Sequence, residues 1–490
     1  MVSEFNYKKI VPLWIIGIFY ILPLIINNSP YFDDIGRSVY GYFSWGIDGR
    51  PFSDLVFSLL DMGAPATNIA PFPQIACILI LTSLCYLLHL KFNAEHKMGW
   101  LIFTPIFLSP FFVQNLAFQF DSLTMALSVA FACAPVFATG RGWLKLFLSS
   151  AAGVAVSLCF YQAALSAFIA VMCIYVLFEL NKRANPLNLA FNVSAAVAGL
   201  AVGYVLYSKA VVPFFVTSDY ANGYNQLIGG TDDLYANIRL TEKVLRSLFT
   251  GFTGKIFLIV FIFAFAGAVT LAVRMLKRQD SAKIKIVNIG LLSLSLIVLL
   301  FCIPGPGLVL KNIPIGPRVF IGFGFFIAGI LALSSFIFNE RAHRLNFLSI
   351  IVCVLSFSFI ATFANASKSQ DKFTEKVINE ISLDIFKVGF KNVKTITVDG
   401  KMLDTPVVQK AVDKYPLMRQ LIPVYFDGQL DWGVVKMTEF YVGFSRPTPE
   451  RQQELIKNMC NMQEISNGGV YKTYFKDGDL VISFSLGNCN

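Results

Sequence analysis

The chain has 490 residues, of which 56% are hydrophobic and only 14% charged, and its mean hydropathy is +0.63. Ordinary soluble domains carry about a quarter charged residues, so the composition excludes one and points to an integral membrane protein with many spans. The formal charge of +10 does not indicate a nucleic-acid partner, because most basic residues fall in short breaks between apolar runs, where membrane topology accounts for them.

Residues 11–27 are apolar up to a terminal Asn and follow Lys8 and Lys9, which predicts a retained first span with a cytoplasmic N-terminus rather than a cleaved signal peptide. The loop 28–73 comes next and holds Asp33, Asp34, Asp48, Asp54 and Asp61. It mixes aromatic with small and polar residues, as in Val39-Tyr-Gly-Tyr-Phe-Ser-Trp45, and predicts interfacial helices, although membrane anchoring alone would also account for the aromatics. Further apolar runs predict spans near 74–90, 99–112, 122–138, 146–160, 163–180, 189–208, 255–273, 286–303, 319–338 and 346–366, about eleven in all. Lys91, Lys97, Arg141, Lys145, Lys182, Arg183, the stretch Arg274–Lys285, Arg341 and Arg344 then share one side, the positive-inside pattern. The opposite side receives 28–73, 113–121, 209–254, 304–318 and everything after 366.

The expected division is therefore a transmembrane catalytic region, 1–366, and a small external α+β domain, 367–490. In the latter, Thr374–Phe390, Thr405–Leu421 and Pro449–Met462 predict amphipathic helices, and Val470–Phe475 with Leu480–Ser485 predicts a hairpin turning at Lys476-Asp-Gly-Asp479. Seven of the cysteines lie in or beside apolar runs, where a thiol acts as a small hydrophobe. Cys460 and Cys489 fall in the polar region and could form a bridge in an oxidising compartment, or be two unrelated thiols. His89, His96 and His343 sit near cytoplasmic helix ends, which argues against a histidine-based metal site.

The longest cytoplasmic break, 274–285, is too short for a nucleotide-binding domain, and no Gly-rich phosphate loop is present. Chemistry on the outer side would therefore need a donor that crosses the membrane by another route, such as a polyprenyl-phosphate sugar. Asp33 and Asp34, directly after the first span, are the candidate general bases for an inverting displacement. Adjacent helical residues diverge by about 100°, so one is the base candidate and the other could orient Arg37, bind the acceptor or hold a divalent cation. The bland alternative is a helix cap at Asp33 with Arg37 one turn later in a surface pair. Arg318 with Lys311, Arg50 and Arg37 are the candidates to hold the leaving phosphate, Arg318 and Arg50 through a bidentate fork. Tyr42 and Trp45 are candidates to stack on sugar. Asp121, Asp232 and Asp233 are secondary acid candidates, with solvated or helix-capping acids as the alternative reading. A metal requirement, Mg or Mn, stays open, because one carboxylate pair provides too few oxygens for a protein-only site.

At Tyr31-Phe-Asp-Asp-Ile-Gly-Arg-Ser38, Tyr40-Gly-Tyr42, Trp45 and Gly49-Arg-Pro51 the chain resembles the serotype-converting O-antigen glucosyltransferases of the Gtr type, polytopic enzymes of GT-C-like character. The resemblance implies undecaprenyl-phosphate glucose as donor and a growing or lipid-linked O-antigen repeat as acceptor, in the periplasm at a Gram-negative inner membrane. It also implies two companions in the pathway, a flippase and a donor-synthesising glucosyltransferase. The acidic residue that such enzymes carry in the first external loop matches the position of Asp33 and Asp34 without choosing between them. A lipid-linked sugar flippase and an O-antigen polymerase are the competing readings.

Overall fold

The computed structural model describes residues 7–92, 98–224, 226–313, 316–337, 346–430, 432–440 and 444–485. The chain forms two compact units: residues 1–26, 43–63 and 69–361 make the first, and 27–42, 64–68 and 362–490 the second. The first loop thus divides between them.

Among the described residues, Lys8–Asn27, Phe72–Phe92, Trp143–Phe160, Gln162–Asn181, Pro186–Phe215, Gly251–Lys277, Ala282–Phe301 and Phe347–Val388 are eight helices long and apolar enough to cross a membrane. The protein is a multi-pass membrane protein. Three of the expected spans fall on apolar helices of 10–17 residues: Gly99–Leu108, Ser122–Ala138, which keeps the expected bounds, and Ile321–Ser335. The reason is visible in the chain. Pro105 restarts a helix at Pro105–Leu108, Pro110 separates it from Phe112–Ala117, and Ser122–Cys133 tightens into a 3-10 turn at Ala134–Ala138 that contains Pro135. Residues 101–126 are buried throughout, so this broken stretch is enclosed by protein, where irregular backbone at membrane depth is tolerated. By contrast, Gly251–Lys277 exposes Leu258, Ile262 and Phe265, as a lipid-facing helix does.

Close helix packing is encoded by small residues. A Cβ at Gly199 would lie 2.5 Å from Ser150 Cβ, and one at Gly203 would lie 2.6 Å from the Ala151 carbonyl oxygen. The four-residue spacing lets Pro186–Ala210 lie directly against Trp143–Phe160, a small-residue interface typical of membrane helices. Ser128 Oγ and Ser157 Oγ each donate 2.9 Å hydrogen bonds to the other's carbonyl and tie Ser122–Cys133 to the same helix.

The second unit is built on the far part of a 43-residue helix, Asn346–Val388. The amphipathic helix expected to start separately at Thr374 is the continuation of the last span, because no Pro or Gly intervenes before Gly389, whose φ of +89° ends it. A four-stranded sheet follows: β1 (Thr395–Asp399), β2 (Gln463–Asn467), β3 (Lys472–Lys476) and β4 (Asp479–Ser483), in the order β1-β4-β3-β2. β3 and β4 form the expected hairpin, with Lys476 paired to Asp479 and positive φ at both Asp477 and Gly478, as a two-residue type I′ turn requires. The sheet buries Ile396, Val398, Leu480 and Ile482 against Val377, Ile378, Ile381 and Ile385 of the long helix. The helix expected over Thr405–Leu421 is split into Pro406–Lys414 and Met418–Leu421 around Pro416. Cys460 is disulfide-bonded; Cys489 lies outside the described residues, as do Lys97, Arg341, Arg344, His96 and His343.

Candidate active site

In the second unit, Asp33 and Asp34 open the helix Asp33–Tyr40, preceded by Phe32 at φ 46°. Two acids in the first turn favour this helix through its dipole, and Gly41 at φ +66° closes it with a hydrogen bond to the Arg37 carbonyl. Asp34 is wholly buried and its Oδ2 accepts the Tyr31 backbone N–H at 3.0 Å. Asp33 is only half-buried. Asp34 is therefore the acid that reaches back to the Tyr31 N–H ahead of the helix. Arg37 is buried rather than on the surface: it is 6% exposed, with its guanidinium 5.2 Å from the Tyr42 ring centroid.

The segment leading into this helix is held from the C-terminal part of the unit. Ser29 Oγ donates to Asp371 Oδ2 at 2.8 Å, Tyr425 donates to the Pro30 carbonyl at 2.6 Å, and Tyr31 donates to the Leu421 carbonyl at 2.6 Å. Burial pushes the Tyr425 phenol well above the ordinary tyrosine range, and Asp371, Tyr31, Asp34 and Glu439 add to it. Gly36 makes room for Tyr42: a Cβ there would meet the Tyr42 hydroxyl at 2.8 Å, so that side chain would have to shift.

In the first unit, Arg50 and Arg318 line one groove of about 740 Å³, together with Asp48, Tyr161, Gln162 and Tyr207 and a larger apolar surface that includes Leu158, Ile169, Val298 and Phe301. Each guanidinium rests on an aromatic face, Arg50 4.7 Å from Tyr161 and Arg318 4.8 Å from Phe118. Arg50 Nε donates to Gln162 Oε1 at 3.3 Å, and its Nη1 lies 3.9 Å from Asp121 Oδ1. The Arg318 backbone is fixed at both polar atoms, its N–H donating to Gln114 Oε1 at 2.7 Å and its carbonyl accepting from Asn115 Nδ2 at 3.2 Å. The Pro/Gly-rich wall of the groove is pinned by Asn237, whose amide reaches the carbonyls of Leu308 at 3.1 Å and Leu310 at 2.7 Å. Two arginines in a mainly apolar groove suit an amphiphile with an anionic head.

The remaining expected residues are placed otherwise. Lys311 is exposed and does not line the groove. Trp45 is 1% exposed and packs on Phe57, and its indole donates to Asp121 Oδ1 at 2.6 Å, so it has no free face for a sugar. Asp121 is itself 4% exposed and makes no side-chain cap bond, which corrects its reading as a solvated or capping acid. Asp232 is exposed, and Asp233 accepts the Gly229 N–H at 2.8 Å, both as expected of helix-start acids. Tyr161, Gln162 and Tyr207 are groove residues that sequence reasoning missed, whereas Asp121, a secondary acid candidate in the sequence, stands beside Arg50. The short break at 161–162 was the signal, since a polar Gln between two apolar runs marks backbone that must face something other than lipid. Among the described residues, no group of three or more His, Cys, Asp or Glu is placed to hold a metal ion.

The family model for glucosyl transferase GtrII matches residues 22–329, a span that includes Asp33, Asp34, Arg50, Asp121, Gln162 and Arg318. The chain belongs to the GtrII glucosyltransferase family. It is 30% identical over 428 residues to an "Uncharacterized 55.3 kDa protein in gtrB 5'region" of Salmonella phage P22, covering 86% of this chain and 88% of that relative. No solved structure matches the chain. For a GtrII glucosyltransferase the matched span is informative in what it leaves out: it ends before the long helix Asn346–Val388 and the sheet.

Proposed function

We propose that this glucosyltransferase moves glucose from undecaprenyl-phosphate glucose to an O-antigen repeat, with inversion, on the periplasmic side of the inner membrane. The observation that carries the reading is the groove in which Arg50 and Arg318 share a mainly apolar lining. An isoprenoid tail needs the apolar wall, and its phosphate needs the cations. Undecaprenyl-phosphate glucose would arrive through a companion flippase after synthesis by a separate glucosyltransferase.

In the proposed step, Asp33 accepts the proton of the acceptor hydroxyl as that oxygen bonds to the anomeric carbon. The bond from that carbon to the phosphate oxygen breaks, and undecaprenyl phosphate leaves with the electron pair, its charge countered by Arg318 and Arg50. Asp33 is chosen over Asp34 because it is half-buried and so within reach of an acceptor, whereas Asp34 is wholly buried. Asp34 keeps the helix start in register. If a divalent cation takes part, these two carboxylates would supply part of its oxygen shell, the rest coming from water or phosphate.

Purified protein in proteoliposomes, given radiolabelled undecaprenyl-phosphate glucose and lipid-linked O-antigen, should transfer label to the acceptor with a single change of anomeric configuration. Movement of the labelled lipid across the bilayer without glycosidic bond formation would replace this reading with a flippase. Lengthening of the repeat without incorporation of glucose would replace it with a polymerase.

A further inference from the structure

We propose that Lys436 and Asp371 are a positioning pair for the carboxylate helix, so that the C-terminal region acts in the reaction by setting where Asp33 stands. The inference rests on the assignment of Asp33 as the base. Lys436 is only 2% exposed, a condition lysine rarely tolerates unless paired. Its ammonium is bonded to Asp371 Oδ1 and lies 5.0 Å from the Tyr425 ring centroid. Both partners reach onward: Asp371 Oδ2 accepts from Ser29, and Tyr425 donates to the Pro30 carbonyl.

The chain immediately before Asp33 is therefore anchored residue by residue. Ser29 meets Asp371, Pro30 meets Tyr425, Tyr31 meets the Leu421 carbonyl, and Phe32 packs edge-on against Tyr425 and Trp432 at 5.9 and 6.4 Å. Phe32 holds φ 46° and ψ −102°, a conformation that a bulky residue keeps only where its surroundings impose it. A buried ion pair often stabilises a fold no better than well-packed hydrophobic residues of the same volume. What Met or Leu at these positions could not supply is direction: Asp371 offers one oxygen to the cation and the other to Ser29. Glu375 and Glu439 also face this cluster and bear on its charge balance.

The test uses the full-length enzyme in proteoliposomes, with turnover normalised to folded, membrane-extracted protein. Lys436→Met should lower kcat by about 10- to 100-fold, the cost of a misplaced catalytic group, with KM for the lipid donor changed by less than about twofold. Lys436→Arg, which restores the charge and its donors, should recover most of the loss. Ser29→Ala removes one hydroxyl without touching the core, and should lower kcat several-fold at unchanged yield. Wild-type kcat in Lys436→Met and Ser29→Ala, or a fall in folded yield with turnover per folded molecule intact, would overturn the proposal. Asp33→Asn is run alongside: its inactivity beside a fully active Lys436→Met overturns the positioning role alone, and wild-type turnover in Asp33→Asn overturns the base assignment and the positioning role with it.

Discussion

Removal of the Arg318 side chain should weaken the enzyme at the leaving group while sparing the fold. Its N–H and carbonyl are held by Gln114 and Asn115, so Arg318→Met deletes the guanidinium and leaves the backbone in place. The residue is half-buried and its charge rests on Phe118, a face that Met can still cover. The loss is then that of hydrogen bonds to a charged phosphate, about 1.5–3 kcal/mol, or roughly a 10- to 150-fold fall in kcat/KM for the lipid donor. Arg318→Lys keeps the charge but not the fork and should fall between. Arg50→Met is a harsher change, because it also leaves buried Asp121 without the guanidinium 3.9 Å away, and it should reduce folded yield as well as rate. If both arginines hold one phosphate, the double variant should lose less than the sum of the two singles in free energy. Initial rates with labelled undecaprenyl-phosphate glucose at saturating acceptor read this directly. Arg318→Met with kcat/KM unchanged would refute the assignment of the groove to the donor phosphate.

Three further outcomes are expected. Asp34→Ala leaves the Tyr31 N–H unsatisfied and should cost about 1–3 kcal/mol of stability, whereas Asp34→Asn keeps an acceptor oxygen and should cost less; thermal unfolding of the two variants compares them. Asn237→Ala strips its amide from the carbonyls of Leu308 and Leu310 and should raise KM for the lipid donor more than it lowers kcat, as titration of donor will show. The folded-state pKa of Tyr425 is raised, so its share of stability is complete below the unfolded tyrosine value of about 10 and is lost as pH rises above it. Tyr425→Phe should therefore flatten the alkaline fall in melting temperature. It should not abolish it, because burial beside Asp384 also raises Tyr471.

The long apolar runs, the hairpin at Asp477-Gly478 and the helical loop around Asp33 were legible because each is a local pattern of period or turn chemistry. The breaks within 99–117 were less legible, because an apolar residue buried in protein reads the same as one facing lipid, and the helix there is interrupted around Pro110. The polar residues after Ala366 suggested a separate helix starting at Thr374, but helix continuity is decided by Pro and Gly, and the chain has neither until Gly389. Asp121 was opaque for a different reason: its partner Trp45 lies 76 residues away, and no local pattern announces such a pairing. The same holds for the anchoring of residues 29–31 by Asp371, Leu421 and Tyr425, at separations of 342 to 395 residues. The sequence placed the two acids, and only the fold separates a wholly buried Asp34 from a half-buried Asp33.

The most direct test of the account is single-turnover transfer from undecaprenyl-phosphate glucose by Asp33→Asn and Asp34→Asn at matched folded amounts. The account predicts that Asp33→Asn loses about 10²- to 10⁴-fold in rate, the usual worth of a general base, while it still binds donor and Asp34→Asn retains most of its activity. Full activity in Asp33→Asn, or its loss only in Asp34→Asn, would contradict it.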